Sequence, residues 1–177
     1  MVLKCRIFCR FGSLQMNSPT ALNKRGKKIH KYGETWDSQK ELDFYERFIM
    51  NKWPHELVKI HLKFELVKGR DIGRARIYGV SYTPDIVILA PDGSFKHVYD
   101  VKNSFTPYGI DTANKLYFRL FAMKYRIPVE AVVIRAHNFK SVAIGVTKQL
   151  RTTKDGKAPD PIVRKNPDYD WIEATNY

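Results

Sequence analysis

At 177 residues, with 44% hydrophobic and 13% aromatic content, the chain is long enough for one domain with a proper core and too apolar to be disordered. No run approaches the roughly 18 apolar residues of a membrane-spanning helix, and Lys4, Arg6 and Arg10 break up the first residues, so neither a membrane partner nor a secretory leader is expected and a cytoplasmic location is. The net charge of +13 selects polyanions, nucleic acid above all, without naming an activity.

That charge is unevenly spread. From Arg151 onward five basic residues face five acidic ones, so the excess lies in residues 1–150, as 26 basic against 13 acidic. In chain order, residues 1–36 read as a loosely structured basic arm. Lys24, Arg25, Lys27, Lys28 and Lys31 crowd around Gly26 without apolar periodicity, a pattern that suits either a solvated tail or a grip on phosphates. Cys5 and Cys9 have no partner pair at zinc-ligand spacing and read as reduced thiols. Met16 offers an alternative start.

A helix is predicted from Ser38, where Ser38 and Glu41 form an S-x-x-E capping box and Leu42, Tyr45, Phe48 and Ile49 recur at helical spacing. Trp53-Pro54 closes it. Val58, Ile60, Leu62, Phe64 and Leu66 then alternate with polar residues, which predicts one strand with a single buried face. Residues 68–76 are basic and carry two glycines, and read as a loop.

Residues 78–103 carry the signal of a β-hairpin, with Asp92-Gly93 between two apolar runs. A second helix is predicted over residues 111–125, with Leu116, Leu120, Phe121 and Met123 as its apolar stripe and Lys115, Arg119 and Lys124 on another face. Tyr108, Tyr117 and Phe118 read as packing residues. Further strands are expected over 129–135 and 141–146. The end, 151–177, with Pro159, Pro161 and Pro167, reads as an irregular tail, leaving 37–150 as the main domain. This order of elements implies a mixed α/β or α+β domain.

The hairpin carries the chemistry. If Asp92-Gly93 is a two-residue turn, Leu89 faces Lys96, Val87 faces Val98 and Asp85 faces Asp100. Opposed residues share a face with Cβ atoms about 4.5–5.5 Å apart, and Lys102 projects to the same side. Two facing carboxylates destabilise a sheet unless something offsets their repulsion, and a divalent cation does so. Carboxylate-held metal with an adjacent ammonium suits phosphodiester hydrolysis. The lysine can orient water, take its proton or stabilise the transition state, and the sequence leaves those roles open.

Thr83-Pro84-Asp85 followed by Asp100-Val101-Lys102 resembles the PD-(D/E)xK motif of the restriction-endonuclease-like nucleases. Glu41 resembles the additional N-terminal acid of many members. The stretch from about Tyr32 to Arg135 is similar to small phage-encoded endonucleases of that superfamily, and to the phage endonuclease I type of Holliday junction resolvase.

The resemblance implies a restriction-endonuclease-like core, a central mixed sheet flanked by helices. It makes Asp85, Asp100 and the Val101 carbonyl metal ligands and Lys102 the catalytic lysine. Glu41 either supports a metal or only caps its helix. Mg²⁺ is the implied cofactor, with Mn²⁺ substituting, and branched or double-stranded DNA the implied substrate. Lys24, Arg25, Lys27, Lys28, Lys115 and Arg119 are its candidate contacts. Resolving a junction takes two cuts and hence a homodimer. The alternatives are a non-catalytic nucleic-acid-binding module, a restriction-type enzyme and an RNA-directed nuclease.

Overall fold

The structure is a computed structural model, and residues 28–146 and 162–174 are described. Cys5, Cys9, Met16, Lys24, Arg25 and Lys27 lie outside the described residues.

The centre is a six-stranded mixed sheet in the order β12-β11-β10-β9-β8-β3. It is built from β3 (Val58–Ile60), β8 (Ile86–Leu89), β9 (Phe95–Val101), β10 (Glu130–Ile134), β11 (Phe139–Ala143) and β12 (Ile162–Arg164). All neighbours are antiparallel except β9 and β10, which run parallel. A parallel pair needs a crossover, and the helix α2 (Thr112–Tyr125) supplies it. The α+β class and its central mixed sheet are as expected.

Alternating side chains send the sheet into two cores. On one face Ile86, Ile88, Tyr99, Val132 and Phe139 pack with Trp36, Leu42, Phe44 and Phe48. Those last three lie on α1 (Gln39–Phe44) and the π-helical turn Tyr45–Ile49 that continues it. On the other face Val87, Val98 and Ala131 meet Phe118 and Phe121 of α2. The predicted α2 stripe is corrected here: Leu116 and Met123 are 55% and 73% exposed. The aromatic side chains at 118 and 121 bury more area per residue, and so set the face that turns inward. Tyr117 and Phe118 pack against Tyr82 as expected, whereas Tyr108 is fully exposed.

The alternating run from Val58 is not one strand. It divides at His61, which adopts φ +49°, into β3 and β4 (Phe64–Val67). β4 leaves the central sheet and pairs with β7 (Val80–Tyr82). The alternation survives because Val58 and the pair Phe64 and Leu66 are buried in different cores. The basic stretch predicted as a loop is instead a hairpin of β5 (Arg70–Ile72) and β6 (Ala75–Ile77).

The Asp92-Gly93 turn spans three residues rather than two. Ala90 N–H donates to Ser94 O at 2.8 Å, and Leu89 pairs with Phe95 instead of Lys96. Gly93 takes φ +83°, which only glycine adopts freely. A bulge at Lys96 absorbs the extra residue, and the predicted register returns at Ile88↔His97, Val87↔Val98 and Ile86↔Tyr99.

The described residues of the expected arm and tail, 28–36 and 162–174, enter the fold further than their composition implies. β1 (Ile29–Lys31) and β2 (Glu34–Trp36) form a hairpin, and Trp36 is fully buried. In the tail expected to be irregular, β12 joins the sheet edge through β11. Tyr169 then donates to buried Glu130, which also binds His97 Nδ1 and Ser141 Oγ, both at 2.6 Å. A buried acid of this kind depends on its donors. Tyr169→Phe is therefore expected to cost roughly 1–3 kcal/mol, measured as a lower midpoint in urea unfolding.

Candidate active site

The ends of β8 and β9 open where α1 and the β3–β4 break approach. Beyond Ile86↔Tyr99 the ladder is irregular: Asp85 N–H donates to Tyr99 O at 3.1 Å. The Asp85 carboxylate then stands in for a backbone acceptor, its Oδ2 taking Val101 N–H at 2.6 Å. Val101 therefore engages the site through its N–H.

Asp100 sits one step further along β9 and is 5% exposed. Its Oδ1 accepts from Lys102 Nζ at 2.7 Å, and its Oδ2 accepts from the Tyr82 hydroxyl. Asp100 is therefore held on both oxygens. Lys102 also stands over the Phe118 ring.

Glu41 completes the cluster from α1. Ser38 caps the helix, its Oγ receiving Glu41 N–H at 3.3 Å and donating to Glu41 Oε1 at 2.7 Å. Oε2 takes Asp37 N–H at 3.0 Å and lies 3.3 Å from His61 Nε2. The capping and site roles of Glu41 are thus held by one carboxylate. Lys40 reaches Asn103 Oδ1 at 2.7 Å and ties this turn to the end of β9. His61 is fixed in turn by its N–H, which donates to Asp85 O at 3.1 Å.

The electrostatics follow from this crowding. The Asp85 carboxyl is pushed well above its ordinary range, first by burial, then by the charges of Asp100 and Glu41. Val101 N–H and Lys102 pull the other way and lose. Burial, followed by the Asp100 charge, raises the Tyr82 hydroxyl, so it stays a proton donor. The bond to Glu41 raises His61.

Oxygens of Glu41 and Asp85 and a ring nitrogen of His61 all lie within 4.8 Å of one another. That donor set, with more negative charge than its neighbours offset, fits a divalent cation. Ser38→Ala, which removes one anchor of Glu41 and the helix cap, is expected to cost about 1 kcal/mol, read from thermal melts.

The structure thus brings Glu41, Asp85, Asp100 and Lys102 together. Two partners were missed. His61 falls among the polar residues that alternate along the expected strand, and Tyr82 precedes the Thr83-Pro84-Asp85 motif with no expectation attached to it. Neither has a local signal, because His61 arrives through a positive-φ break and Tyr82 from a separate ribbon.

Three of the candidate DNA contacts, Lys28, Lys115 and Arg119, fall among the described residues. Lys28 pairs with Asp37 at 3.3 Å. Lys115 and Arg119 lie on α2, half-buried and exposed respectively. Lys124 is tied down, its Nζ donating to Glu65 O at 2.5 Å.

Residues 22–141 match a family described as a protein of unknown function (DUF1064). That span includes all six residues of the cluster. No curated protein matches the chain, and no solved structure does.

Proposed function

We propose that this chain, which belongs to the DUF1064 family of proteins of unknown function, is a metal-dependent endonuclease acting on DNA. The observation that carries this reading is the Asp85 carboxylate, raised by burial and by Asp100 and Glu41, beside an ammonium anchored 2.7 Å from Asp100. Such a grouping costs stability in a protein with no cation to bind. The basic balance of the chain supports a polyanionic substrate.

Glu41, His61 and Asp85 would hold the ion, with Asp100 completing the acidic side. When bound, a divalent ion acidifies its water and offsets charge on a phosphoryl group. The other residues position and donate. Val101 N–H holds Asp85, while Tyr82 and Lys102 hold Asp100 from its two oxygens. Lys102 keeps two further N–H donors for a phosphoryl oxygen, where charge develops. Ser38 and His61 fix Glu41.

The test offers labelled duplex, single-stranded, flap and four-way-junction DNA to the purified chain, with Mg²⁺, with Mn²⁺ and with chelator. Cleavage is expected with either metal and none with chelator. Because imidazole is a poorer ligand for Mg²⁺ than for transition metals, Mn²⁺ is expected to support the faster reaction. Absence of metal-dependent cleavage of every substrate would remove the assignment. Cleavage of junctions in preference to the rest would identify a resolvase, and a dimer by sedimentation should then accompany it.

A further inference from the structure

The β5–β6 hairpin does no work for the fold. Every residue of β5 and β6 is exposed, including Ile72 at 62% and Ile77 at 55%, and Tyr78 beside them at 87%. An element that buries none of its apolar side chains contributes little to stability. Large apolar side chains held in water on a projecting element mark an interaction site.

Its charge is one-sided. Between Lys68 and Gly79 stand Lys68, Arg70, Arg74 and Arg76 against Asp71 alone. Arg76 pairs with Asp71 at 3.1 Å. Lys68, Arg70 and Arg74 have no acidic partner among the described residues.

The base of the hairpin is built for close approach. A Cβ on Gly69 would stand 2.9 Å from Ile77 O and 3.0 Å from Gly79 N, and one on Gly79 only 2.7 Å from Val67 O. Two glycines facing each other let the strands cross where side chains would force them apart. Immediately beyond, β7 runs from Val80 to Tyr82, whose hydroxyl holds Asp100. The hairpin and the acidic cluster are therefore two ends of one ribbon.

We infer that this hairpin is a DNA-contacting arm that lays a two-stranded ribbon in the major groove of the duplex beside the site. Six residues per limb reach roughly 20 Å at about 3.3 Å per residue. A two-stranded ribbon fits the B-form major groove, about 12 Å wide, whereas the deep, narrow groove of A-form RNA does not admit it. Lys68, Arg70 and Arg74 meet phosphates, and Tyr78, Ile72 and Ile77 meet sugar and base edges. This inference names how the proposed substrate is held, and so rests on DNA being that substrate.

The test measures binding in EDTA, so that it does not depend on cleavage. Fluorescence anisotropy of a short labelled duplex is recorded across a salt series for wild type and for K68E/R70E/R74E. All three side chains are exposed, and matched circular dichroism spectra and melting temperatures check the fold. The triple variant is expected to bind at least ~10-fold more weakly, with the slope of log affinity against log salt reduced by roughly 2–3, as for three lost phosphate contacts. Tyr78→Ala is expected to weaken binding with the slope unchanged.

Unchanged affinity and slope in the triple variant overturn the inference even if the wild type cuts DNA. So does failure of the wild type to bind duplex DNA, or tighter hairpin-dependent binding of duplex RNA. Hairpin-dependent DNA binding by a chain that never cleaves would sink the nuclease reading and leave the arm standing.

Discussion

Asp100→Asn is expected to lower metal-dependent DNA cleavage by roughly 10³-fold while leaving the fold intact, on the scale of losing an electrostatic group from a preorganised site. The substitution is nearly isosteric, and the amide oxygen can still accept from Tyr82, so the packing around β9 keeps its shape. What goes is the charge. The oxygen that accepts from Lys102 Nζ at 2.7 Å becomes part of an amide that either turns its NH₂ group toward the ammonium or turns it toward Tyr82. Lys102 then loses its anchor as well as its counter-ion.

Single-turnover cleavage at saturating metal separates this from weaker metal binding, and a thermal melt checks folding. Lys102→Met should show a comparable loss with metal affinity retained. An Asp100→Asn protein that cuts at the wild-type rate would remove Asp100 from the chemistry.

Much of this site was legible in the sequence because it is carried by local pattern. Asp85, Asp100 and Lys102 lie at or just beyond the ends of two paired strands, so the hairpin register brings them close even though the regular ladder stops at Ile86↔Tyr99. Even the error in the turn was harmless, since the three-residue loop and the bulge at Lys96 cancel and restore Val87↔Val98. Glu41 was legible through its capping box, which is also the hydrogen-bond geometry that holds the carboxylate in the site.

His61 and Tyr82 were hidden for the opposite reason. His61 keeps the polar phase of an alternating run, and nothing in its neighbours announces the positive-φ turn that takes β4 into another sheet. The docking of Tyr169 on Glu130 is a contact between residues 39 apart in sequence, beyond the reach of periodicity. The arm of β5 and β6 was masked by its glycines: Gly69 and Gly79 mark the crossing at its base and Gly73 its turn, whereas glycine-rich basic sequence ordinarily means loop.

Asp85→Asn is expected to move stability in opposite directions with and without metal. In chelator the wild type holds a carboxylate that burial, Asp100 and Glu41 all disfavour as an anion. An acid whose pKa is raised on folding keeps its proton more tightly in the folded state. Stability is therefore lost as pH rises from the ordinary carboxylate range through the raised folded value.

At neutral pH the metal-free wild type bears that loss and the asparagine variant does not. Its amide oxygen can still accept Val101 N–H, so the ladder end is preserved. The variant should melt a few degrees higher in chelator, given that roughly 1 kcal/mol moves a domain of this size by about 2–4 °C. It should also lose much of the wild type's decline in melting temperature as pH rises above the ordinary carboxylate range.

Added Mn²⁺ reverses the order, because a ligand that binds only the folded state stabilises it by RT ln(1 + [L]/Kd), and the variant lacks a carboxylate to bind with. For the same reason metal affinity in the wild type rises with pH, as the ion competes with the Asp85 proton. Melting curves at two pH values, each with chelator and with Mn²⁺, contain the whole test. A variant less stable than wild type under every condition would mean that Asp85 is a structural acceptor for Val101 and the acidic cluster no place for a cation.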